Sequence, residues 1–173
     1  MHLSTLPLLL LSLSHLPLTL AQNPTCTDHP AESLPKLSDC HHVISSIERN
    51  IAETGNPLYT AARRKHANFH LPNIFWDHLP ESTCGVRLDM VEGKEQASDE
   101  VRLSDIAFAT QKVVTKCLER ERGTEGWMRA GRWGFVNVTV ERLHWDGRGR
   151  GMLRLGGGNG NGTGSRARAK GVL

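Results

Sequence analysis

The chain has 173 residues, 38% of them hydrophobic and 23% charged, with 21 Lys and Arg against 18 Asp and Glu for a formal net charge of +3. This apolar content argues against a wholly disordered chain, and four cysteines are too few for a cysteine-dense mini-scaffold. Once an N-terminal leader is set aside, no apolar run of about 18 residues remains, which excludes a chain that crosses a membrane repeatedly on helices.

The leader is residues 1–21. Leu6 to Leu13 is an apolar stretch broken only by Pro7 and Ser12, and Leu16 to Leu20 extends it toward Ala21. Thr19 and Ala21 then stand three and one residues before a cut, which is the pattern of a secretory signal peptide. Its first residues, Met1-His2-Leu3, carry no Lys or Arg, but Pro7 and Pro17 would interrupt a buried helix in the same place. The mature chain is expected as one domain, 22–146, and a Gly/Arg-rich tail, 147–173. Cys26, Cys40, Cys84 and Cys117 all fall in the mature part. In an oxidising route an even number of cysteines is expected to form two disulfides, and four allow three pairings.

The first helix is expected to begin near Cys40 with Ser38 or Asp39 as its cap, because a short side-chain oxygen accepts from the free N–H groups of the first turn. Val43, Ile44, Ile47 and Ile51 form its apolar stripe and Gly55 ends it. A short helix over Tyr59 to Asn68 comes next, then an irregular apolar stretch interrupted by Pro72 and Pro80. From Thr83 to Val91 the pattern has period two. Cys84, Val86, Leu88 and Met90 share one face, so this is a half-buried strand with Cys84 turned inward.

Glu92 to Glu100 reads as a solvated loop. Ser104 is expected to cap a second helix, with Asp105 at the end that favours negative charge. Ile106, Ala109, Val113, Val114 and Cys117 recur along it at helical spacing. Cys117 should point at the sheet, within reach of the strand bearing Cys84 or of the first helix. Trp133 to Arg142 is the closing strand, with Val136, Val138 and Val140 on one face and Trp133, Phe135, Asn137 and Thr139 on the other. The order helix, strand, helix, strand gives an α+β fold, two helices on one face of a small antiparallel sheet, held by disulfides.

Two sequons, Asn137-Val138-Thr139 and Asn161-Gly162-Thr163, fit the secretory route and mark Asn137 and Asn161 as glycosylation sites. If the valines of the closing strand line the core, Asn137 faces out. The tail holds Arg148, Arg150, Arg154, Arg166, Arg168 and Lys170 and no acid, which leaves the rest of the chain at −3. Its glycine content and scarcity of apolar side chains predict disorder.

The layout of Cys26, Asp39-Cys40 opening a helix, Ser82-Thr83-Cys84-Gly85-Val86 opening a strand, Ser104-Asp105-Ile106 opening a second helix, Cys117 and a closing strand resembles small secreted proteins of filamentous fungi. Among them is the necrosis-inducing extracellular effector family, some of whose members are similar in fold to α/β killer toxins. The resemblance runs from Cys26 to about Val140. It implies secretion and a role at a host or competitor surface, and it carries over no site residues. The basic tail, and a last cysteine placed before the final strand, depart from that pattern.

No catalytic residue is assigned. His66 and His70 stand four apart, with Asp77 and His78 nearby, but they lack a third ligand at fixed spacing, and there is no Cys-x-x-Cys pair or His-Glu-x-x-His helix. No metal or cofactor is therefore expected. Cys40-His41-His42 is not a catalytic thiol arrangement, because neighbours on a helix diverge. Asp77, Glu81, Asp89 and Glu92 could supply an acid pair for a small secreted hydrolase, but nothing in the sequence fixes their separation. Trp76, Trp127, Trp133 and Trp145 suit either a sugar-stacking platform or packing at the edge of the core, and packing is the expectation. Arg63-Arg64-Lys65 reads as a solvated turn. The functional expectation is an extracellular protein that acts by binding. Its basic tail suits acidic polysaccharide or an anionic surface and not nucleic acid, which the compartment disfavours.

Overall fold

The computed structural model describes residues 23–28, 30, 33–64, 66–76, 82–121, 124–146 and 150–153. The expected leader and Asn161 lie outside the described residues. The elements in chain order are β1 (Thr25–Asp28), α1 (Leu37–Thr54), β2 (Leu58–Ala62), β3 (Phe69–His70), β4 (Asn73–Trp76), β5 (Cys84–Met90), β6 (Ser98–Arg102) and α2 (Leu103–Val113). A π-helical segment, Val114–Arg120, continues α2, and β7 (Thr124–Ala130), β8 (Val136–Asp146) and β9 (Arg150–Leu153) complete the chain order.

The α+β class holds. An antiparallel sheet in the order β1-β7-β8-β5-β4 carries both helices on one face. Its centre is β8, which pairs with β5 along Val136 to Arg142, with β7 along Val136 to Val140 and with β9 from Leu143 onward. A second sheet, β3-β2-β6, connects to the first through a corner at the cis Leu71–Pro72 peptide. Four residues expected to belong to the tail, Arg150–Leu153, thus extend the domain as a strand on β8.

Alternation explains the main sheet. Val86 opposes Val140, Leu88 opposes Val138 and Met90 opposes Val136, and all six are buried beneath the helices. Met128 and Ala130 of β7 add to the same layer. From above, α1 supplies Val43, Ile44 and Ile47, and α2 with its π continuation supplies Ile106, Val113 and Val114. A side chain such as Leu88 contributes about 2 kcal/mol by leaving water, and its truncation to Ala would cost about 2–5 kcal/mol once the cavity is included.

Both helix starts differ from the expected caps. The first begins at Leu37, where Lys36 occupies the cap position without a side-chain bond. Asp39 instead reaches across to Thr83, whose N–H and hydroxyl each donate to Asp39 Oδ2 at 2.7 Å. Burial opposes ionisation of this carboxylate, but the two Thr83 bonds, the Ser38 hydroxyl and the Lys36 charge prevail and hold its pKa below the ordinary value. The helix stops at Gly55, left-handed at φ 73, whose N–H donates to Ile51 O. In α2, Arg102 is the cap residue and its N–H donates to Asp105 Oδ2 at 2.8 Å. Ser104 lies inside the first turn, and its N–H donates to Asn56 Oδ1 at 3.1 Å. The end of α1 is thereby tied to the start of α2.

Three further expectations are corrected. Leu58–Ala62 is a strand and not the start of a helix, because pairing with β6 overrides the local helical bias of Ala61-Ala62-Arg63-Arg64. Ser98–Arg102, its partner, lies partly in the stretch read as loop. The closing strand begins at Val136, so Trp133 and Phe135 precede it in the turn from β7.

Candidate functional site

The four cysteines form two disulfides, Cys26–Cys117 and Cys40–Cys84. Cys84 does face inward and meets α1, as its parity required. Cys117 bridges to neither the Cys84 strand nor α1, but to the edge strand β1, which sequence reasoning did not find. Because β1 pairs with β7 directly below the π segment, Cys26 lies within bonding distance of Cys117. Cys40 is completely buried and bonded, so it offers no thiolate to His41 or His42. His41 instead lies 3.2 Å from Glu119.

The other candidates scatter. His66 and His70 are exposed, Asp77, His78 and Glu81 lie outside the described residues, and no group of three or more His, Cys, Asp or Glu able to hold a metal occurs among the described residues. Asp89 Oδ1 accepts two bonds from Arg63, and Arg64 pairs with Gln96, so these two residues of the basic turn are held by partners, while Lys65 lies outside the described residues. Glu92 is exposed. Asn137 sits on the sheet face away from the helices, as the valine parity demanded. It is half-buried, and its Oδ1 has no hydrogen-bond partner among the described residues.

The side chains of Trp76 and Trp145 lie outside the described residues, and the other two tryptophans divide. Trp127 is half-buried on that outer sheet face, whereas Trp133, expected to pack, is 58% exposed. Its position is set by the turn between β7 and β8. Gly131 and Gly134 adopt left-handed φ values of 89 and 67, which glycine adopts without strain. The loop between them is pinned by Asp99, a residue of β6 with 1% exposure. Asp99 Oδ1 accepts the N–H of Trp133 at 2.9 Å and Oδ2 accepts that of Phe135 at 2.8 Å, while Oδ1 also accepts the Glu100 N–H. A buried carboxylate with three backbone donors is satisfied without a cation.

Beside it, the Arg132 N–H donates to Glu100 O at 2.7 Å, and Arg132 Nη1 donates to Glu100 Oε2 at 2.8 Å. The Arg132 guanidinium also lies over the Trp133 ring, 4.8 Å from its centroid. Glu100, Arg132 and Trp133 are thus stacked and bonded into one exposed ledge on a fixed backbone. Sequence reasoning noticed Trp133 but missed Asp99, Glu100 and Arg132. The available signal was the pair of glycines bracketing Arg132-Trp133, which marks a tight turn presenting a large ring.

A second cluster occupies the outer sheet face. Glu141 is 8% exposed, and Arg87 Nε donates to its Oε1 at 2.8 Å. Burial pushes the Glu141 pKa up to about 7, with the negative charge of Glu125 adding to the rise and Arg87 opposing it. A carboxyl that exchanges its proton near neutrality can act as an acid or a base. Comparison with protein families, curated proteins and solved structures found no match to this chain.

Proposed function

We propose that the chain is a secreted, disulfide-bonded protein without catalytic activity that binds at a host, competitor or cell-wall surface, in the manner of the effector-like fungal proteins its layout resembles. The observation that carries this reading is the exposed Trp133 held on a backbone anchored by Asp99. An exposed aromatic ring beside a guanidinium offers a large flat contact area, and a fixed loop loses little freedom on binding. Export is supported by the leader pattern and by cysteines placed to form two cystines. In this reading Asn137 and Asn161 carry glycans, and the basic tail adds attraction to acidic polysaccharide or another anionic surface.

The test is retention of the mature protein on intact cells and isolated walls. The reading expects retention, weakened by Trp133→Ala and, on acidic polymers, by removal of the tail; no retention on any surface would overturn it. A small secreted hydrolase is the second reading, favoured by Glu141 with Glu125 and Arg87 beside it. Turnover of a glycan, lipid or peptide substrate that disappears in Glu141→Gln would establish it in place of the first.

A further inference from the structure

We infer that Trp133, Arg132 and Glu100 form a shallow binding site for one ring of an uncharged, polyhydroxylated saccharide, a proposal that rests on the surface-binding reading above and names the ligand class. The Arg132 guanidinium covers one side of the indole, and with 58% of Trp133 exposed the rest of the ring is open to a ligand. A pyranose has an apolar C–H face of about that size, surrounded by hydroxyls, and it stacks on a flat aromatic ring. The hydroxyls need donors and acceptors at the ring's edge. Arg132 and Glu100 supply both, since their side chains remain 62% and 40% exposed while bonded to each other.

Charge and composition decide the ligand class. The guanidinium is matched by the Glu100 carboxylate at 2.8 Å, so the ledge has no unbalanced cation to select an anionic ligand. A protein partner is disfavoured because hot-spot tryptophans lie inside a rim of contacts that excludes water. Here the loop neighbours are Gly131, Arg132, Gly134 and a half-buried Phe135 whose ring is covered by Lys94, and the other large exposed apolar side chains, Leu37, Leu58 and Phe108, belong to α1, β2 and α2. Asp99 fixes the backbone on both sides of Gly134, so the groups are in place before a ligand arrives. Contact with a single ring gives weak binding, roughly millimolar for one chain, and repeated units along a wall polymer multiply the equivalent places at which one chain can bind.

The experiment titrates the mature, disulfide-bonded protein with chitohexaose, a β-1,3-glucan hexamer and a galacturonate hexamer, following the Trp133 indole N–H resonance, assigned with Trp133→Phe, in the wild type and the backbone amide resonances of Arg132 and Gly134 in every variant. The expected result is a saturable shift with at least one of the two uncharged hexamers, unchanged at raised salt. Affinity should fall roughly tenfold or more in Trp133→Ala and several-fold in Glu100→Gln, with far-ultraviolet circular dichroism and cystines intact in both. No shift with either uncharged hexamer, equal affinity in Trp133→Ala, or a response to galacturonate alone that salt abolishes would each overturn the proposal. Wall retention without any Trp133 response would remove this site and leave the surface-binding reading standing. A Trp133 response without retention on any surface would do the reverse.

Discussion

The buried carboxylate of Asp99 accepts the backbone N–H of Trp133 at 2.9 Å, joining the second sheet to the turn at the head of the main one. The most exposed large apolar side chain among the described residues therefore stands on a backbone tied to a buried carboxylate at Trp133 and again at Phe135. Gly131 makes this possible, because a Cβ at its position would collide with the Asp99 carboxylate. The side chains of Glu100, Arg132 and Trp133 depend on this support, which is made by backbone N–H groups of Glu100 and Trp133 and not by the side chains themselves.

Replacing Asp99 by Ala should cost about 3 kcal/mol, since it leaves the N–H groups of Trp133 and Phe135 without their acceptor in a part-buried turn. Asp99→Asn should cost less, because one oxygen still accepts. Urea unfolding of the two variants checks the order. Saccharide affinity should fall in both, although neither variant alters the ledge side chains.

Stability should depend on pH through Glu141. Its folded pKa of about 7 lies above the ordinary 4.5, so its contribution is full below pH 4.5 and is lost as pH rises through 7. The loss is roughly 3 kcal/mol at most. In Glu141→Gln, whose amide oxygen still accepts from Arg87, the fall between about pH 4.5 and 7 should vanish. Asp39 acts in the opposite sense and in another window: its lowered pKa adds stability above the ordinary 3.8 that disappears as pH falls through the folded value. Denaturant midpoints of wild type and Glu141→Gln across acid to neutral pH separate the two groups.

Gly126→Ala should be strongly destabilising. Its Cβ would lie 2.6 Å from Cys117 Sγ and 3.0 Å from both Thr25 O and Val113 Cγ1, between a cystine, an edge strand and α2. Overpacking of this kind costs about 1–3 kcal/mol, with little room for the neighbours to move. Thermal unfolding should show a lowered midpoint, and Cys26–Cys117 should become more accessible to reductant.

The disulfides close loops with sequence separations of 44 and 91. By chain entropy each should contribute about 4–5 kcal/mol. Removing Cys26 and Cys117 together should release β1 while leaving the α1–β5 core folded, and removing Cys40 and Cys84 should loosen that core. Hydrogen exchange resolved by element distinguishes the outcomes: protection lost first in β1 for one pair, and in α1 and β5 for the other.

Periodicity made the central layer readable. The valines of β8, the apolar face of β5 and the stripes of both helices all lie where spacing placed them, because each buries one face against the others. Elements specified by a partner were not readable. Thr25–Asp28 and Ser98–Arg102 have no apolar alternation of their own and become strands through β7 and β2. Asp39 and Ser104 have the chemistry of caps, yet Thr83 and Asn56, 44 and 48 residues away, redirect them. The candidate site was legible only as an aromatic residue between glycines. Its support comes from Asp99, 34 residues earlier, in a stretch that reads as polar loop.

Non-reducing peptide mapping of protein collected outside the producing cell decides whether the chain is exported and cross-linked. The expected product begins at Gln22, with Cys26 linked to Cys117 and Cys40 to Cys84. Recovery only from the cytosol, with residues 1–21 attached and four free thiols, would contradict it.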